Sequence, residues 1–331
     1  MGVDEAAIEA QQPAKDPVLQ GMVADRVVEA QGLGLPVRVE TNDARVERAA
    51  WELFGPRSSE LDEAPVTLRI LVHDVPEEPG WTPIQPVMRA QGPYFYVAAS
   101  RASVVSGDAE RGFAYGFISR RQADHAEHLR STMVLGPFSW IATTRALSAV
   151  HSAVIALNGT TLLLRGEQGA GKTTLAYAAL RQGFSLLCED VAFAWQVDDG
   201  IELRGLPRQL YLLPDATRFF GELDGLEPVE RFNGETKLLV QVAERFPGQL
   251  LERVPLGPTV FVERSPKGRN RLFEVDREQA LERFAATRLP IERRHAGEVD
   301  IWGAMLEHGV YRFEVGPDPL AAAAALRELC D

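Results

Sequence analysis

The fold is decided by the stretch Gly166-Glu167-Gln168-Gly169-Ala170-Gly171-Lys172-Thr173-Thr174, which follows the phosphate-binding pattern G-x-x-x-x-G-K-[ST]. An apolar run, Thr161–Leu164, precedes this stretch, and a helix-forming run, Leu175–Arg181, follows it. A strand before such a loop and a helix after it form the context in which the pattern binds phosphate. The sequence therefore predicts that all nine residues of this loop bind a nucleotide.

The residue types of the loop explain its chemistry. Its glycines let backbone N–H groups turn inward, where they hold phosphate oxygens at a helix N-terminus. Lys172 can reach the β- and γ-phosphates, and Thr173 can offer its hydroxyl to Mg²⁺. Only four of the 35 basic residues are lysines, so a chance match to the pattern is improbable. We expect ATP and Mg²⁺ as cofactors.

Composition narrows the class of protein. The 331 residues are enough for one large or two modest domains, and 45% hydrophobic with 25% charged residues is ordinary for a globular protein. The net charge of −12 disfavours nucleic acid as a partner, because such proteins usually carry a basic field. The N-terminus lacks the pattern of a signal peptide, and no apolar run is long enough to span a bilayer. These features predict a cytoplasmic protein without a membrane partner.

The chain divides into three predicted segments. Residues 1–35 read as a polar lead-in, residues 36–135 as a small α+β domain, and residues 136–331 as the domain that holds the phosphate loop. Alternating apolar patterns predict these N-terminal strands: Val37–Glu40, Val66–His73, Tyr94–Ala99, Ala102–Val105 and Phe113–Ile118. Helices are predicted at Asp43–Leu53, Arg120–Arg130 and Phe138–Val150.

The C-terminal part alternates strands with helices, which predicts an α/β fold. Asn158-Gly159 joins Ala153–Leu157 to Thr161–Leu164 and is a strong two-residue hairpin signal. Further strands are predicted at Phe184–Cys188, Ala192–Gln196, Ile201–Arg204, Lys237–Gln241, Thr259–Glu263 and Tyr311–Val315. Further helices are predicted at Asp215–Phe220, Arg277–Ala285, Asp300–Glu307 and Pro319–Leu329.

Two carboxylates follow the first strand after the loop helix. Glu189 and Asp190 end the strand Phe184–Cys188, and ligands of open α/β sheets gather at the carboxyl ends of strands. These acids can hold Mg²⁺ or take the proton of a nucleophile. A polar strand end without a chemical role is the alternative, and we favour the functional interpretation.

Four more residues are weaker candidates. Glu202 and Arg204 alternate along one strand and so share a face, where one could bind metal and the other phosphate; a salt-bridged solvent face is the alternative. His151, just before the hairpin, could contact a phosphate or the acceptor, although a structural histidine is the more common interpretation. Lys237 could neutralise phosphoryl charge or simply lie on the surface.

Together these pieces resemble the C-terminal catalytic domain of HPr kinase/phosphorylase, whose fold is related to the nucleotide-binding part of phosphoenolpyruvate carboxykinase. The resemblance covers roughly residues 138–265. It depends on His151, the phosphate loop, the sequence Cys188-Glu189-Asp190-Val191, and Glu202-Leu203-Arg204-Gly205. The segment after Arg204 looks more like diverged members such as the lasso-peptide kinases.

The resemblance implies roles for these residues. Lys172 and the loop amides would hold the β-phosphate, Thr173 and Glu202 would hold Mg²⁺, and His151 would position phosphate or substrate. One acid of the Glu189–Asp190 pair would act as base. Glu189 stands where the family usually has Asp, so Asp190 can take more of that work and can also bind the metal, and the base is not assigned. The family allows homo-oligomers.

The leading functional hypothesis is an ATP- and Mg²⁺-dependent kinase of the HPr kinase type. Its acceptor would be a hydroxyl of a peptide, a protein or a small metabolite. The alternative is a nucleotide-binding regulatory or scaffold protein with little or no transferase activity. A phosphotransferase that uses pyrophosphate or another nucleotide also remains open, because nothing in the sequence identifies the base of the nucleotide.

Overall fold

The structure is a computed structural model that describes residues 22–57, 63–83, 85–146, 148–206, 209–231, 233–288, 292 and 301–331. Within these residues the chain has a mixed α/β fold in which the strands form four sheets. In the same part of the chain, helices are all too short or too polar to cross a membrane.

The N-terminal strands form one eight-stranded sheet in the order β3-β1-β2-β4-β8-β7-β6-β5. The central pairs, β2 with β4 and β4 with β8, are parallel, and the other pairs are antiparallel. The strands are β1 Arg26–Gly32, β2 Leu35–Thr41, β3 Gly55–Pro56, β4 Val66–His73, β5 Val87–Gln91, β6 Tyr94–Ser100, β7 Ser103–Asp108 and β8 Phe113–Ser119.

Three strands of this sheet were not predicted. Strand β1 lies entirely inside the segment assigned to a polar lead-in. It was missed because its alternating buried residues, such as Val28 and Ala30, are small and few. Strand β3 has only 2 residues, too few to leave a pattern. Strand β5 is exposed at every position, so its sequence lacks the apolar alternation that predicts a strand. The five strands predicted in this half are confirmed, with small shifts at their ends.

Helices cover one face of the sheet. The predicted helix at Asp43–Leu53 is confirmed as Ala44–Leu53, and Asp43 caps it by accepting the N–H of Arg45. The predicted helix Arg120–Arg130 is instead two short helices, Arg120–Asp124 and Ala126–His128, which continue into a π-helix over Leu129–Leu135.

The predicted helix Phe138–Val150 is wrong over its second half. The helix covers Gly136–Ala142, and Ser148–His151 forms strand β9. Strand β9 is buried at all four positions and pairs with Val191–Ala194, so its backbone hydrogen bonds come from a partner distant in sequence. Long-range pairing of this kind overrides local helix propensity.

The C-terminal strands form three sheets, with orders β12-β10-β11-β19-β21-β20, β18-β14-β13-β9 and β15-β17-β16. Besides β9 they are β10 Ala153–Leu157, β11 Thr160–Arg165, β12 Ser185–Cys188, β13 Val191–Val197, β14 Gly200–Arg204, β15 Gln209–Leu212, β16 Pro228–Glu230, β17 Thr236–Gln241, β18 Arg253–Pro255, β19 Thr259–Arg264, β20 Arg271–Glu274 and β21 Val310–Val315. The sequence did not predict β15, β16, β18 or β20.

The hairpin prediction is confirmed. Strands β10 and β11 pair around Asn158 and Gly159, whose φ angles of 52° and 84° are those of a tight two-residue turn. Strand β11 then runs parallel to β19, and β19 parallel to β21. The carboxyl ends of these three strands therefore lie at one edge of the sheet, where β11 leads into the phosphate loop.

The remaining helical segments are Lys172–Arg181, Val242–Arg245, Arg277–Ala286, Ile301–Glu307 and Pro319–Leu326, with 3-10 turns at Pro214–Arg218, Gly221–Leu223 and Arg327–Leu329. The predicted helix Asp215–Phe220 is thus a shorter 3-10 turn, which starts at Pro214. The predicted helix Asp300–Glu307 is observed from Ile301 onwards, and Asp300 lies outside the described residues.

The hydrophobic core does not divide at residue 136. Phe138 and Ile141 pack into the cluster of the N-terminal sheet, and Ala149 and Phe193 belong to the same cluster. A second cluster lies between the six-stranded sheet, the loop helix and the C-terminal helix, and a third lies on the other face of that sheet. The two halves therefore pack against one another through a shared apolar cluster, while their proposed division of labour stays a prediction.

Candidate functional site

The phosphate loop has the backbone conformation that its glycines allow. Gly166, Gly169 and Gly171 have φ angles of 152°, 80° and 98°, a region that residues with a Cβ rarely adopt. A Cβ at Gly166 would lie 2.5 Å from the carbonyl oxygen of Val262, so only glycine fits there. Around Gly169 and Gly171 the space is open. The loop thus has a constrained base and an open face.

The loop ends at the N-terminus of a ten-residue helix, Lys172–Arg181. Gly171 is its N-cap and has no side chain to accept the N–H groups of the first turn. The first turn of a helix leaves such N–H groups without a partner, and together with the helix dipole they attract anions. The described geometry therefore fits a phosphate at this position.

Two side chains of the helix face the loop. The Lys172 Nζ donates to the carbonyl oxygens of Gly166 and Glu167, at 2.8 and 3.2 Å. Burial lowers the pKa of Lys172, and the nearby carboxylate of Asp190 opposes that shift. The Thr173 hydroxyl donates to the Glu189 carboxyl group at 3.3 Å. This pair, a hydroxyl beside a carboxyl, is a donor set that suits Mg²⁺.

The adjacent acids, in the turn between β12 and β13, have different environments. Burial raises the pKa of Glu189 to about 8, and the charge of Asp190 adds to the shift. Besides Thr173, Glu189 accepts the backbone N–H of Tyr211 at 2.9 Å. Neighbouring titratable groups whose pKa values are pushed apart are typical of acid–base sites.

Asp190 keeps its charge. Burial pushes its pKa upward, but the hydrogen bond with His151 and the charges of His151, Lys172 and Lys237 outweigh burial, and the pKa of Asp190 is lowered. Its side chain is 65% exposed, and it lines the same cavity as the loop. Asp190 is therefore an ionised carboxylate that a bound molecule can reach.

His151 is held firmly at the end of β9. Its backbone N–H donates to Glu292 at 3.0 Å, and its Nδ1 lies 3.1 Å from the carbonyl oxygen of Thr287. Because a carbonyl oxygen only accepts, we assign the proton to Nδ1. The other ring nitrogen, Nε2, faces the ionised carboxylate of Asp190 at 3.2 Å, and it donates to Asp190 when the ring carries a proton on both nitrogens. His151 thus orients Asp190.

A second network ties β17 to the loop. Lys237 lies 3.1 Å from Glu235, and Gln168 of the loop donates to the same carboxylate at 2.9 Å. Like the loop, Lys237 lines the cavity. Lys237 is therefore close enough to add positive charge near a bound phosphate chain.

A single cavity of about 1490 Å³ joins these groups. Its lining includes the whole loop, both acids, His151 and Lys237, and it continues onto residues of the N-terminal half. Pockets for drug-sized ligands usually have volumes of about 300–1,000 Å³, so this cavity has room for a nucleotide and a second molecule.

Glu202 and Arg204 are not brought to this cavity. They form an ion pair with each other at 2.8 Å. The Arg204 guanidinium lies 4.7 Å from the ring centre of Trp195 and donates to the Leu33 carbonyl at 3.4 Å. Neither residue lines the cavity of the phosphate loop, so the metal role of Glu202 and the phosphate role of Arg204 stay predictions that this geometry does not support. Strand β14 pairs with β13 and β18, and this pairing gives the two side chains a different neighbourhood.

The sequence analysis missed several residues of the site. Arg165, fully buried directly before the loop, binds Glu292 at 2.9 Å, and Glu292 also holds His151. The sequence did offer a signal for Arg165, since it is a charged residue at the end of an apolar strand. The backbone of Tyr211, which contacts Glu189, left no signal in the sequence because strand β15 was itself not predicted.

No family model matches this chain, and no curated protein matches it in sequence. Among solved structures, the chain is similar to the Hpr(Ser) kinase/phosphatase from Coxiella burnetii, with 12% sequence identity and a TM-score of 0.30. That match covers 55% of this chain and 95% of the other. The similarity is distant, and a TM-score this low establishes neither the fold nor the activity of this chain.

Proposed function

We propose that this protein is an ATP- and Mg²⁺-dependent kinase that transfers a phosphoryl group to a hydroxyl. One observation carries the proposal: an ionised carboxylate, Asp190, lines the same cavity as a complete phosphate loop, beside Lys172 and His151. A protein that only binds nucleotide needs the loop, but it does not need an oriented carboxylate there.

The residues support the following step. The acceptor oxygen bonds to the γ-phosphorus of ATP, the bond from that phosphorus to the β–γ bridging oxygen breaks, and ADP leaves. The hydroxyl proton passes to Asp190, which His151 holds in place. Lys172 and the loop N–H groups stabilise the charge on the phosphates. Thr173, with Glu189, would hold Mg²⁺, which supplies further charge neutralisation when bound.

The nucleotide site is tested by Lys172→Ala, with the exposed Lys267→Ala as a matched control. We expect Lys172→Ala to weaken ATP binding at least tenfold, because a charge-assisted contact worth about 1.5–3 kcal/mol is lost. Binding of a fluorescent ATP analogue with Mg²⁺ measures the effect. Equal affinities of the two variants would show that the loop does not bind nucleotide.

The transfer step is tested by Asp190→Asn, with Asp199→Asn in an exposed turn as the control. We expect Asp190→Asn to keep ATP binding and to lower transfer of labelled γ-phosphate by about 10²–10⁴-fold, the usual contribution of a general base. The acceptors offered are hydroxylated metabolites, serine peptides and water. An undiminished rate in Asp190→Asn, or no transfer to any acceptor by the unmodified protein, would favour a binding protein over a kinase.

A further inference from the structure

The cavity has a second wall that comes from the N-terminal half. Leu33, Glu52, Leu53, Arg130 and Leu135 line it, and none of them belongs to the phosphate loop. Phe193 and Leu206 line the same cavity from the C-terminal half and extend the apolar surface. This wall therefore offers hydrocarbon contact to a second molecule.

A buried cluster of charges lies in this wall. The Arg130 side chain is only 5% exposed, and it donates to Glu52 at 2.6 Å, to the Tyr211 hydroxyl at 3.0 Å and to Glu127. Arg231 contacts the other oxygen of Glu127 at 2.7 Å and stacks on Tyr211. Two guanidinium groups thus face two carboxylates, and the cluster as a whole is neutral.

Two hydrogen-bond donors of this wall have no acceptor. The Arg130 Nε and the Gln209 Nε2 are both buried, and neither has a hydrogen-bond partner among the described residues. Both residues line the cavity. Buried polar groups are nearly always hydrogen-bonded, so two such donors at one cavity indicate a ligand that brings oxygen acceptors.

The cluster is close to the reacting groups. The Tyr211 backbone N–H donates to Glu189, while the Tyr211 hydroxyl contacts Arg130 and Glu127. One tyrosine therefore connects the acidic pair to the cluster. Arg130 also lies in the π-helix Leu129–Leu135, an irregularity that is frequent at functional sites.

We propose that this wall binds the hydroxylated acceptor, which is an uncharged molecule with an apolar portion and with carbonyl or hydroxyl oxygens. The oxygens accept from Arg130 Nε and Gln209 Nε2, and the apolar portion packs against Leu53 and Leu135. An uncharged acceptor fits because Glu52 and Glu127 already neutralise both guanidinium groups. The role of the bound molecule as a phosphoryl acceptor rests on the proposed kinase function, whereas the existence of the binding site does not.

The test uses three probes with the full chain, Mg²⁺ and a non-hydrolysable ATP analogue. N-acetyl-leucyl-threoninamide is neutral, N-acetyl-leucyl-threonine is its carboxylate counterpart, and octyl glucoside offers hydroxyls in place of carbonyls. Calorimetry measures their binding. We expect a neutral probe to bind more tightly than the carboxylate, and the better neutral probe identifies the source of the oxygens. Tighter binding of the carboxylate, or no binding by either neutral probe, overturns the proposal.

Variants locate the binding site. Gln209→Leu removes the unpartnered Nε2 donor, together with the amide oxygen that the Tyr211 hydroxyl contacts at 2.9 Å, and should weaken binding of the neutral probe about tenfold, whereas the exposed Gln279→Leu should not change it. Ser139→Tyr narrows the same cavity at a residue outside the cluster, so it keeps the proposal testable if Gln209→Leu does not fold. Unchanged probe affinity in a folded Gln209→Leu or Ser139→Tyr protein overturns the proposed site.

Failure of this site and failure of the kinase function are distinguishable. Lys172→Ala should lose the ATP analogue yet still bind the neutral probe, because the two walls use different residues. If the probe binds and phosphate is never transferred, the site stands and the kinase function falls. The opposite outcome is transfer of phosphate to a probe whose KM is the same for Gln209→Leu and for the unmodified protein. That result supports the kinase function and overturns this binding site.

Discussion

Replacing Glu189 with glutamine should stabilise the metal-free protein, by an amount that grows with pH. In the folded chain, burial and Asp190 raise the pKa of the Glu189 carboxyl group to about 8, whereas the ordinary value is 4.5. Between these two pH values the folded state keeps a proton that the unfolded state has released. Stability therefore falls as the pH rises through this window. A glutamine side chain does not titrate, so the stability of the variant does not fall with pH in this way.

The structure sets the size of the effect. At pH 7, about 2.5 units above the ordinary pKa of a glutamate, ionisation of Glu189 stabilises the unfolded state relative to the folded state by at most about 3.4 kcal/mol. Glu189 is half-buried and faces an open cavity, which reduces that value. We expect Glu189→Gln to be more stable by about 1–3 kcal/mol at pH 7 and to differ little at pH 4. The two oxygens of Glu189 accept separately from Thr173 and Tyr211, so the amide oxygen of the variant can keep the Tyr211 N–H while its NH₂ group donates to the Thr173 hydroxyl.

Urea unfolding at pH 4, 5.5, 7 and 8.5 in EDTA measures this difference, with the exposed Glu244→Gln as control. Added Mg²⁺ should shrink the difference at pH 7, because the metal favours the ionised carboxylate of the unmodified protein. A stability difference that is constant across these pH values, or a variant less stable than the unmodified protein at pH 8.5, would refute the reasoning.

Three further changes test the site. Arg165→Met should lower the free energy of unfolding by about 3 kcal/mol, because Glu292 loses its buried counter-charge; urea unfolding measures this, and adding Glu292→Gln should restore part of the loss. Gly166→Ala places a Cβ 2.5 Å from the Val262 carbonyl, so we expect a folded protein that binds a fluorescent ATP analogue at least tenfold more weakly. Glu202→Gln should leave the Mg²⁺ dependence of ATP binding unchanged within about twofold, and a clear change would instead support the metal role predicted for Glu202.

Local signals explain what the sequence could predict. The phosphate loop, its flanking strand and helix, and the Asn158-Gly159 turn each depend on residues adjacent in the chain, and the structure has all of them. The acids Glu189 and Asp190 follow a strand next to the hairpin in the same sheet, so topology alone carries them to the loop edge.

Long-range contacts explain what the sequence could not predict. Strand β9 depends on pairing with β13, and the buried cluster of the N-terminal wall joins Glu127, Tyr211 and Arg231, which lie in three distant segments. Glu202 and Arg204 are the opposite case, since a short family-like pattern predicted roles for them, whereas the structure pairs them with each other and away from the lining of the cavity. Short sequence patterns predict helices and strands, but contacts with residues distant in the sequence decide where the side chains lie.

The apolar cluster shared by the two halves has a practical consequence for anyone who expresses this protein. Cutting the chain near residue 135 would uncover Phe138, Ile141 and Phe193, which are buried against the N-terminal sheet. A fragment with such a surface is prone to aggregate in water. The phosphate-binding half is therefore not expected to be stable when it is expressed alone. Replacing the N-terminal half with another domain would also require redesign of the shared apolar cluster.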